Sequence, residues 1–284
     1  MNSSNLLSIT TFIYGLAAFL YIAAMVFKKP LILKPAWWAA IIGCAGNAAG
    51  IGMRWIESYR LGIGHAPLTN LYESLIFFAL VIIVTYLVVE HKYKYNLLGA
   101  FITPIACLAM AYASLSPSMS DRIQPLIPAL QSNWLIAHVV ACFIGYAAFA
   151  ISFGISIAYL LKEKYQDATT LFNHFPEADI LNELNYNLII FGFLFLTIGI
   201  ITGAVWANSA WGRYWGWDPK ETWSLVTWFV YATLLHARMT RGWTGKRIAG
   251  LSIVGFLAVL FTYFGVNYLP GLHSYGVLEK TISP

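Results

Sequence analysis

Histidine is the residue type in this chain best suited to holding a metal or a metal-containing cofactor, and six are present. Two of them, His138 and His236, lie inside long apolar runs, where an ionisable side chain is a functional candidate by default, and His273 follows the last run by six residues. With a helical rise of about 1.5 Å per residue, His138 lies ~6 Å inside the end of its run near Trp134. We expect His273 on that same side of the membrane and His236 ~15 Å deeper.

Tryptophan is concentrated in residues 206–228, which contain six of the chain's 11 indole side chains. Crowded indoles separated by Gly212 and Gly216 predict a broad apolar surface that the backbone approaches closely, suited to a large flat ligand. Tryptophan is also common at membrane interfaces, so Trp206 and Trp228 are interpreted as interfacial belt residues. The four between them are too crowded to mark helix ends singly: Trp211, Trp215, Trp217 and Trp223.

Together these residue types favour a haem site. Two neutral imidazoles on opposite faces of a porphyrin are a common way to hold haem iron, and His138 and His273 are the candidates. Arg213 or Lys220 would neutralise the haem propionates. The competing interpretation is a pair of interfacial histidines bonded to backbone carbonyls, and the spacing alone does not decide between them.

The elements that position these residues are predicted to be membrane-spanning helices. Of the 284 residues, 59% are hydrophobic and 10% are charged, whereas a soluble domain has about 25% charged residues. Helices are expected because lipid satisfies no backbone polar group, and ~20 residues cross the hydrocarbon core. The eight apolar runs are 6–27, 36–53, 71–89, 97–114, 134–161, 186–206, 222–240 and 248–267. The sequence therefore predicts an all-α polytopic membrane protein, with residues 1–284 forming a single integral membrane domain.

Basic residues predict the orientation of these spans. Alternate connections hold 11 of the 17 Lys and Arg residues: Lys28, Lys29, Lys34, Lys92, Lys94, Lys162, Lys164, Arg238, Arg241, Lys246 and Arg247. The other side holds 6: Arg54, Arg60, Arg122, Arg213, Lys220 and Lys280. The positive-inside rule therefore predicts both termini on the outer side. The same asymmetry accounts for the net charge of +5, so that charge gives no reason to invoke nucleic acid.

Two connections stand out under this topology. Residues 207–221 form an external Trp-rich loop, and residues 162–185 form a cytoplasmic connection that is either an interfacial amphipathic helix or a solvated turn region. Asp218 and Glu221 fit a capping box that starts a helix at Pro219, and Asn70 and Glu73 fit a second cap. The three cysteines are isolated within predicted spans, which is typical of small buried hydrophobes.

At this point the chain resembles a known family. The stretch WGRYWGWDPKETW, residues 211–223, resembles the tryptophan-rich WWD signature of haem-handling proteins in cytochrome c maturation. Within that group the match is closest to the CcsA (ResC) family of the System II pathway. It extends to HAPLTNLYES at 65–74, WLIAH at 134–138, FGVN at 264–267 and LHS at 272–274. The first two spans match by hydropathy alone.

The resemblance implies roles for particular residues. His138 and His273 match two external histidines that flank the WWD domain as axial haem ligands. His236 matches an intramembrane histidine that receives haem on its way out, which makes three histidines that would contact haem iron. The haem-binding loop is matched by Trp211, Arg213, Trp215, Trp217, Asp218 and Trp223. No role is carried to His65.

The resemblance also implies a function. The chain would deliver haem b across the membrane and present it to apocytochrome c, where thioether bonds form at a C-x-x-C-H segment. No residue matches a dedicated general base, so the expected catalysis is by positioning, as a haem lyase of the holocytochrome c synthase type. His236 has no partner imidazole at its depth in this sequence, so a membrane subunit like CcsB (ResB) is expected to supply one. The site of action would be the bacterial inner membrane or the thylakoid membrane.

Three alternative functions remain open at this stage. A haem exporter or chaperone would leave the joining step to another protein. A bis-histidine electron-transfer cytochrome would need paired histidines on facing helices, and the sequence has one deep histidine. A structural subunit without haem is the third.

Overall fold

The prediction of an all-helical membrane protein is confirmed. The structure is a computed structural model that describes residues 2–117, 119–165, 175–269 and 271. These residues contain helices and connections and no β-strand. The eight α-helices are α1 (Ser3–Val26), α2 (Leu33–Arg60), α3 (Leu71–Tyr93), α4 (Gly99–Leu115), α5 (Asn133–Tyr165), α6 (Ala178–Trp211), α7 (Pro219–Arg241) and α8 (Lys246–Tyr263).

Each helix corresponds to one predicted apolar run, but the helices differ in apolarity and length. In the described part of the chain, seven are long and apolar enough to cross a membrane, and α7 falls outside that group. Its sequence carries polar residues from Lys220 to Arg238 among the apolar ones. The 33 residues of α5 and 34 of α6 span ~50 Å each, longer than a ~30 Å hydrocarbon core, so their ends extend beyond it.

The contacts within the chain divide it into two compact units. The first comprises residues 1–131 and 157–181, and the second comprises residues 132–156 and 182–284. Helices α5 and α6 therefore contribute to both units. The expectation of one membrane domain over residues 1–284 stays a prediction.

In the first unit, α1 packs on α2 and α4, and α3 packs on α4. Gly99 at the start of α4 permits the close approach of two tyrosines, because a Cβ there would lie 2.6 Å from the Tyr21 ring and 2.5 Å from the Tyr86 hydroxyl. A buried ion pair joins α2 to α3. Arg54 Nε donates to Glu73 Oε1 at 2.8 Å, and both side chains are 1% exposed.

In the second unit, polar side chains join helices inside an apolar core. The Thr227 and Thr262 hydroxyls, 2.9 Å apart, link α7 to α8. Trp228 Nε1 donates to Thr197 Oγ1 at 2.9 Å and links α7 to α6. A buried cluster on α5, α6 and α8 consists of Ser152, Ser156, Asn185 and Ser252. Such interhelical hydrogen bonds satisfy polar groups that lipid cannot.

Candidate functional site

His138 lies on α5 in the second unit, in the first two turns of the helix. Its Nδ1 is 2.7 Å from the backbone carbonyl oxygen of Gly199 on α6. A carbonyl only accepts hydrogen bonds, so Nδ1 carries the proton, and in the neutral imidazole the lone pair is then on Nε2. This is the arrangement that metal-binding histidines adopt, in which the second ring nitrogen donates to a carbonyl and fixes the tautomer.

Glycines on α6 make room for this imidazole. A Cβ on Gly203 would lie 2.6 Å from His138 Nδ1, and a Cβ on Gly199 would lie 2.5 Å from Cys142 Sγ. About two turns away from the Gly199–His138 contact, Gly192 and Gly145 bring the two backbones together. The small residues let α5 approach α6 closely enough for a side chain of one helix to bond the backbone of the other.

Trp206 covers one face of the imidazole. The two rings stack with centroids 5.9 Å apart and planes 13° apart, and Trp206 is 2% exposed. Trp211, the last residue of α6, contacts Trp206 edge-on at 4.9 Å. The interpretation of Trp206 as a belt residue is therefore wrong, because its indole packs inside the unit against His138.

The loop between α6 and α7 is shorter than predicted. Residues 207–211 belong to α6 and α7 begins at Pro219, which leaves residues 212–218 as the WWD connection. Both predicted caps are confirmed. Asp218 Oδ1 accepts from the Lys220 amide at 2.9 Å, and Glu221 Oε2 accepts from the Asp218 amide at 3.1 Å. Asn70 Oδ1 accepts from the Glu73 amide at the start of α3.

Three side chains of the WWD connection are turned outward: Arg213, Tyr214 and Trp217. Trp217 is 69% exposed and has a left-handed backbone, with φ of +57°, which is an outlier for a bulky residue. Trp215 contacts it edge-on at 5.7 Å. Arg213 is exposed, and its guanidinium lies so close to Gly216 that a Cβ there would be 2.7 Å from Arg213 Cζ. The connection therefore presents an indole and a cation together.

Lys220 extends from the first turn of α7 toward the core of the second unit. Its Nζ lies 3.4 Å from Asn267 Oδ1. Burial lowers the pKa of Lys220, and the Asp218 carboxylate and the Cys142 thiol oppose that shift. Gly271 lies against the same cap, since a Cβ there would be 2.5 Å from Asp218 Oδ2. The described chain thus ends beside the WWD connection, two residues before His273, which lies outside the described residues.

His236 lies on α7, 17 residues after Pro219, which is ~26 Å along the helix. Its side chain is exposed on a face that also carries Val226 (38% exposed) and Phe229 (56% exposed). The described part of the second unit therefore presents this imidazole outward. His138 and His236 do not meet.

Comparison with known proteins identifies the family. The sequence profile of the family described as "Cytochrome C assembly protein" matches residues 68–273. The chain is 40% identical to the cytochrome c biogenesis protein CcsA of Guillardia theta over 98% of this chain and 97% of that protein. It is 36% identical to CcsA of Gloeobacter violaceus over 98% of this chain and 99% of that protein.

The chain belongs to the CcsA family. A solved structure with a similar fold is the cytochrome c haem lyase CcmF, with a TM-score of 0.70 and 18% sequence identity. The match covers 93% of this chain and 47% of the CcmF chain, so the chain spans about half the length of that protein. At this identity the likeness shows the fold alone.

The structure of this CcsA-family chain brings some predicted site residues together and leaves others apart. His138 and Trp211 are joined through Trp206, whereas Trp223 packs on Phe261 of α8 at 4.2 Å. Sequence reasoning missed Trp206, Gly199 and Gly203. The spacing of Gly199 and Gly203 does place both on one face of α6. The sequence does not show which helix packs on that face or in what register.

Proposed function

We propose that this chain takes haem to the outer face of the membrane and presents it there for covalent attachment to apocytochrome c. A role in cytochrome c maturation follows from membership of the CcsA family. The observation that carries the finer proposal is the geometry of His138. Its proton is held on Nδ1 by the Gly199 carbonyl at 2.7 Å, so Nε2 is the ring atom proposed to bind iron.

His138 and His273 are proposed as the axial ligands of the outer haem. Gly271 lies against Asp218, which supports an approach of the C-terminal segment to the WWD connection. Trp211, Trp215, Trp217 and Trp223 would line the porphyrin, and Arg213 would pair with a propionate. Asp218 serves this site by fixing where the connection ends, since its carboxylate caps α7.

The joining reaction adds two substrate thiols to the two haem vinyl groups. Each addition forms one carbon–sulfur bond, and the thiol proton ends on the other vinyl carbon, so no external oxidant or reductant is required. Thiolates are the nucleophiles, and both come from the C-x-x-C-H segment of the apocytochrome. The chain contributes proximity and orientation, which can supply much of the rate acceleration. The substrate histidine then replaces His138 or His273 on the iron.

His236 is proposed as the inner haem ligand. It lies ~26 Å along α7, and its imidazole is exposed. An exposed imidazole supports a second ligand supplied from another chain. A membrane subunit of the CcsB (ResB) type, the partner implied by the family resemblance, is the proposed source of the second imidazole.

The proposed location is a bacterial inner membrane or a thylakoid membrane, with the WWD connection on the periplasmic, outer or lumenal side. The distribution of Lys and Arg supports this orientation. Relatives from Gloeobacter violaceus and Chlamydomonas reinhardtii support these membranes.

The test is haem content and joining activity of histidine variants, purified with and without the partner subunit. We expect His138→Ala and His273→Ala to lose the Soret absorbance of the outer haem and the attachment of haem to apocytochrome c, with partial rescue by added imidazole. His236→Ala should deplete both haems. His91→Ala is the control, because His91 is an exposed residue in the last turn of α3.

Normal attachment in both outer-site variants would overturn the axial-ligand assignment. A wild-type chain that binds haem with its partner but never forms thioether bonds would support the exporter alternative. A full outer site in His236→Ala would show that haem arrives by another route.

A further inference from the structure

An irregular segment in the first unit is held by two side chains. Residues 119–131, which we term the strap, join α4 to α5 and contain one short 3-10 turn at Pro128–Leu130. Arg54 Nη1 donates to the Asp121 carbonyl at 2.8 Å. His65 Nε2 lies 3.0 Å from the Gln124 carbonyl oxygen. These two contacts tie the strap to residues that precede α3.

His65 is itself fixed in place. Its side chain is 7% exposed, and its backbone amide donates to Ser58 Oγ on α2 at 3.0 Å. Its Nδ1 lies 2.9 Å from the Ala66 carbonyl oxygen. Both ring nitrogens of one imidazole therefore face carbonyl oxygens, one local and one 59 residues away.

This arrangement selects a charge state. A carbonyl oxygen only accepts, and a neutral imidazole has one N–H and one lone pair, so it satisfies one of the two oxygens and repels the other. Only the imidazolium donates from both nitrogens. We propose that His65 is a proton-dependent clamp, which holds the strap at Gln124 when the imidazole is protonated and releases it when the proton is lost.

The charged groups on the surrounding elements leave this role to His65. They include Arg54, Glu57 and Arg60 on α2, Glu73 on α3, and Asp121 and Arg122 on the strap. Arg54 and Glu73 are paired with each other, and Glu57 bonds Ser3. None of these residue types ordinarily changes charge between pH 5 and 8, whereas histidine does. The Arg54 contact to Asp121 persists over that range because arginine stays protonated.

The pH dependence follows from the donor count. At low pH both donors are present and the clamp is closed. When the proton is lost, one N–H disappears and a lone pair faces an oxygen at 3.0 Å. The Gln124 side of the clamp opens, because Ala66 is the next residue along the chain and remains near the ring.

Hydrogen exchange of the full chain in lipid nanodiscs tests this proposal. Amide protection in residues 123–131, corrected for intrinsic exchange, should fall between pH 5.5 and 7.5 by up to about tenfold per pH unit above the midpoint. In His65→Gln the protection should not change with pH, since the amide donor does not titrate in this range. His91→Gln, a change at an exposed histidine of α3, should behave like wild type.

Protection that is constant with pH in wild type, or that keeps its pH dependence in His65→Gln, would overturn the clamp. Should His65→Gln fail to fold, the wild-type result is read alongside the imidazole 15N shifts of His65. Those shifts should report two protonated nitrogens at pH 5.5, and one protonated nitrogen there would equally refute the proposal.

Discussion

The imidazole of His138 is oriented by a backbone carbonyl, a neutral acceptor. A carboxylate at Nδ1 would push electron density onto the ring and favour the imidazolium, whereas the Gly199 carbonyl fixes the tautomer with a neutral acceptor. A neutral ligand with a fixed ring suits the proposed site, which would bind haem and later give it up.

Gly203→Ala should remove haem from the outer site. The new methyl group would lie 2.6 Å from His138 Nδ1, so the ring must shift and lose the Gly199 contact. Loss of such a supporting contact weakens metal affinity by about 10–100-fold. Gly250→Ala on α8 is the matched control, because nothing lies within 4 Å of its added methyl. Soret absorbance per protein measures the effect, and equal haem in the two variants would contradict it.

Two substitutions of Trp217 should separate backbone strain from haem binding. A left-handed backbone costs about 1–2 kcal/mol for an L-residue with a Cβ and almost nothing for glycine. Trp217→Gly should therefore be about 1 kcal/mol more stable to unfolding than Trp217→Ala. Both variants lose the exposed indole, so both should bind less haem. Thermal unfolding in detergent and haem titration check this, and equal stability of the two variants would argue against backbone strain.

Sequence patterns singled out candidate ligands more readily than the residues that pack around them. His138 was predictable because a histidine inside an apolar run is unusual whatever its partners. Gly199 and Gly203 were not, because their importance depends on which helix they face and in what register. Trp206 was missed for the same reason, since belt and core tryptophans differ in their surroundings and not in their spacing.

At the scale of the helix, features decided by neighbouring residues were predictable and features decided by distant contacts were not. The caps at Asn70 and Asp218 were predicted because a cap is decided within about four residues. Helix α7 is less apolar than the other helices. Its polar side chains are satisfied by long-range contacts with other helices, which a local sequence pattern does not show. Thr227 bonds Thr262, and Arg238 bonds Asn182 Oδ1 at 3.1 Å and stacks on Tyr186 at 4.0 Å.

Two ion pairs should differ sharply in their contribution to helix packing. Glu73→Gln leaves Arg54 buried without a counter-charge and should destabilise the fold by about 3–5 kcal/mol. Glu183→Gln removes the partner of Arg238, but Glu183 is 61% exposed, so the expected cost is below about 1 kcal/mol. Denaturant unfolding in detergent measures both. A large loss from Glu183→Gln with none from Glu73→Gln would reverse this ranking.

At the scale of the whole molecule, hydropathy was sufficient to predict the number of helices. Each span is a local property, since an apolar run in lipid must satisfy its own backbone. The division into two units was not predictable, because α5 and α6 are continuous helices that change partners along their length. A sequence pattern reports the face of a helix and not which helix covers it.

Labelling from one side of the membrane should reveal the orientation. In a background without the three native cysteines, Tyr214→Cys in the WWD connection should react with a membrane-impermeant maleimide on intact cells. Thr244→Cys, between α7 and α8, should react only after permeabilisation. Both positions are exposed, so access rather than burial decides the outcome. Labelling in the opposite order would invert the proposed topology.

The contact between His138 and Gly199 also determines which mutations can disturb the imidazole. The acceptor is a main-chain oxygen, which every amino acid carries, so no single codon change deletes it. A mutation can only push it away, by adding bulk at positions such as 199 or 203 on α6. The tautomer of the proposed iron ligand is therefore protected against most substitutions, and its weak points are positions where glycine alone is tolerated.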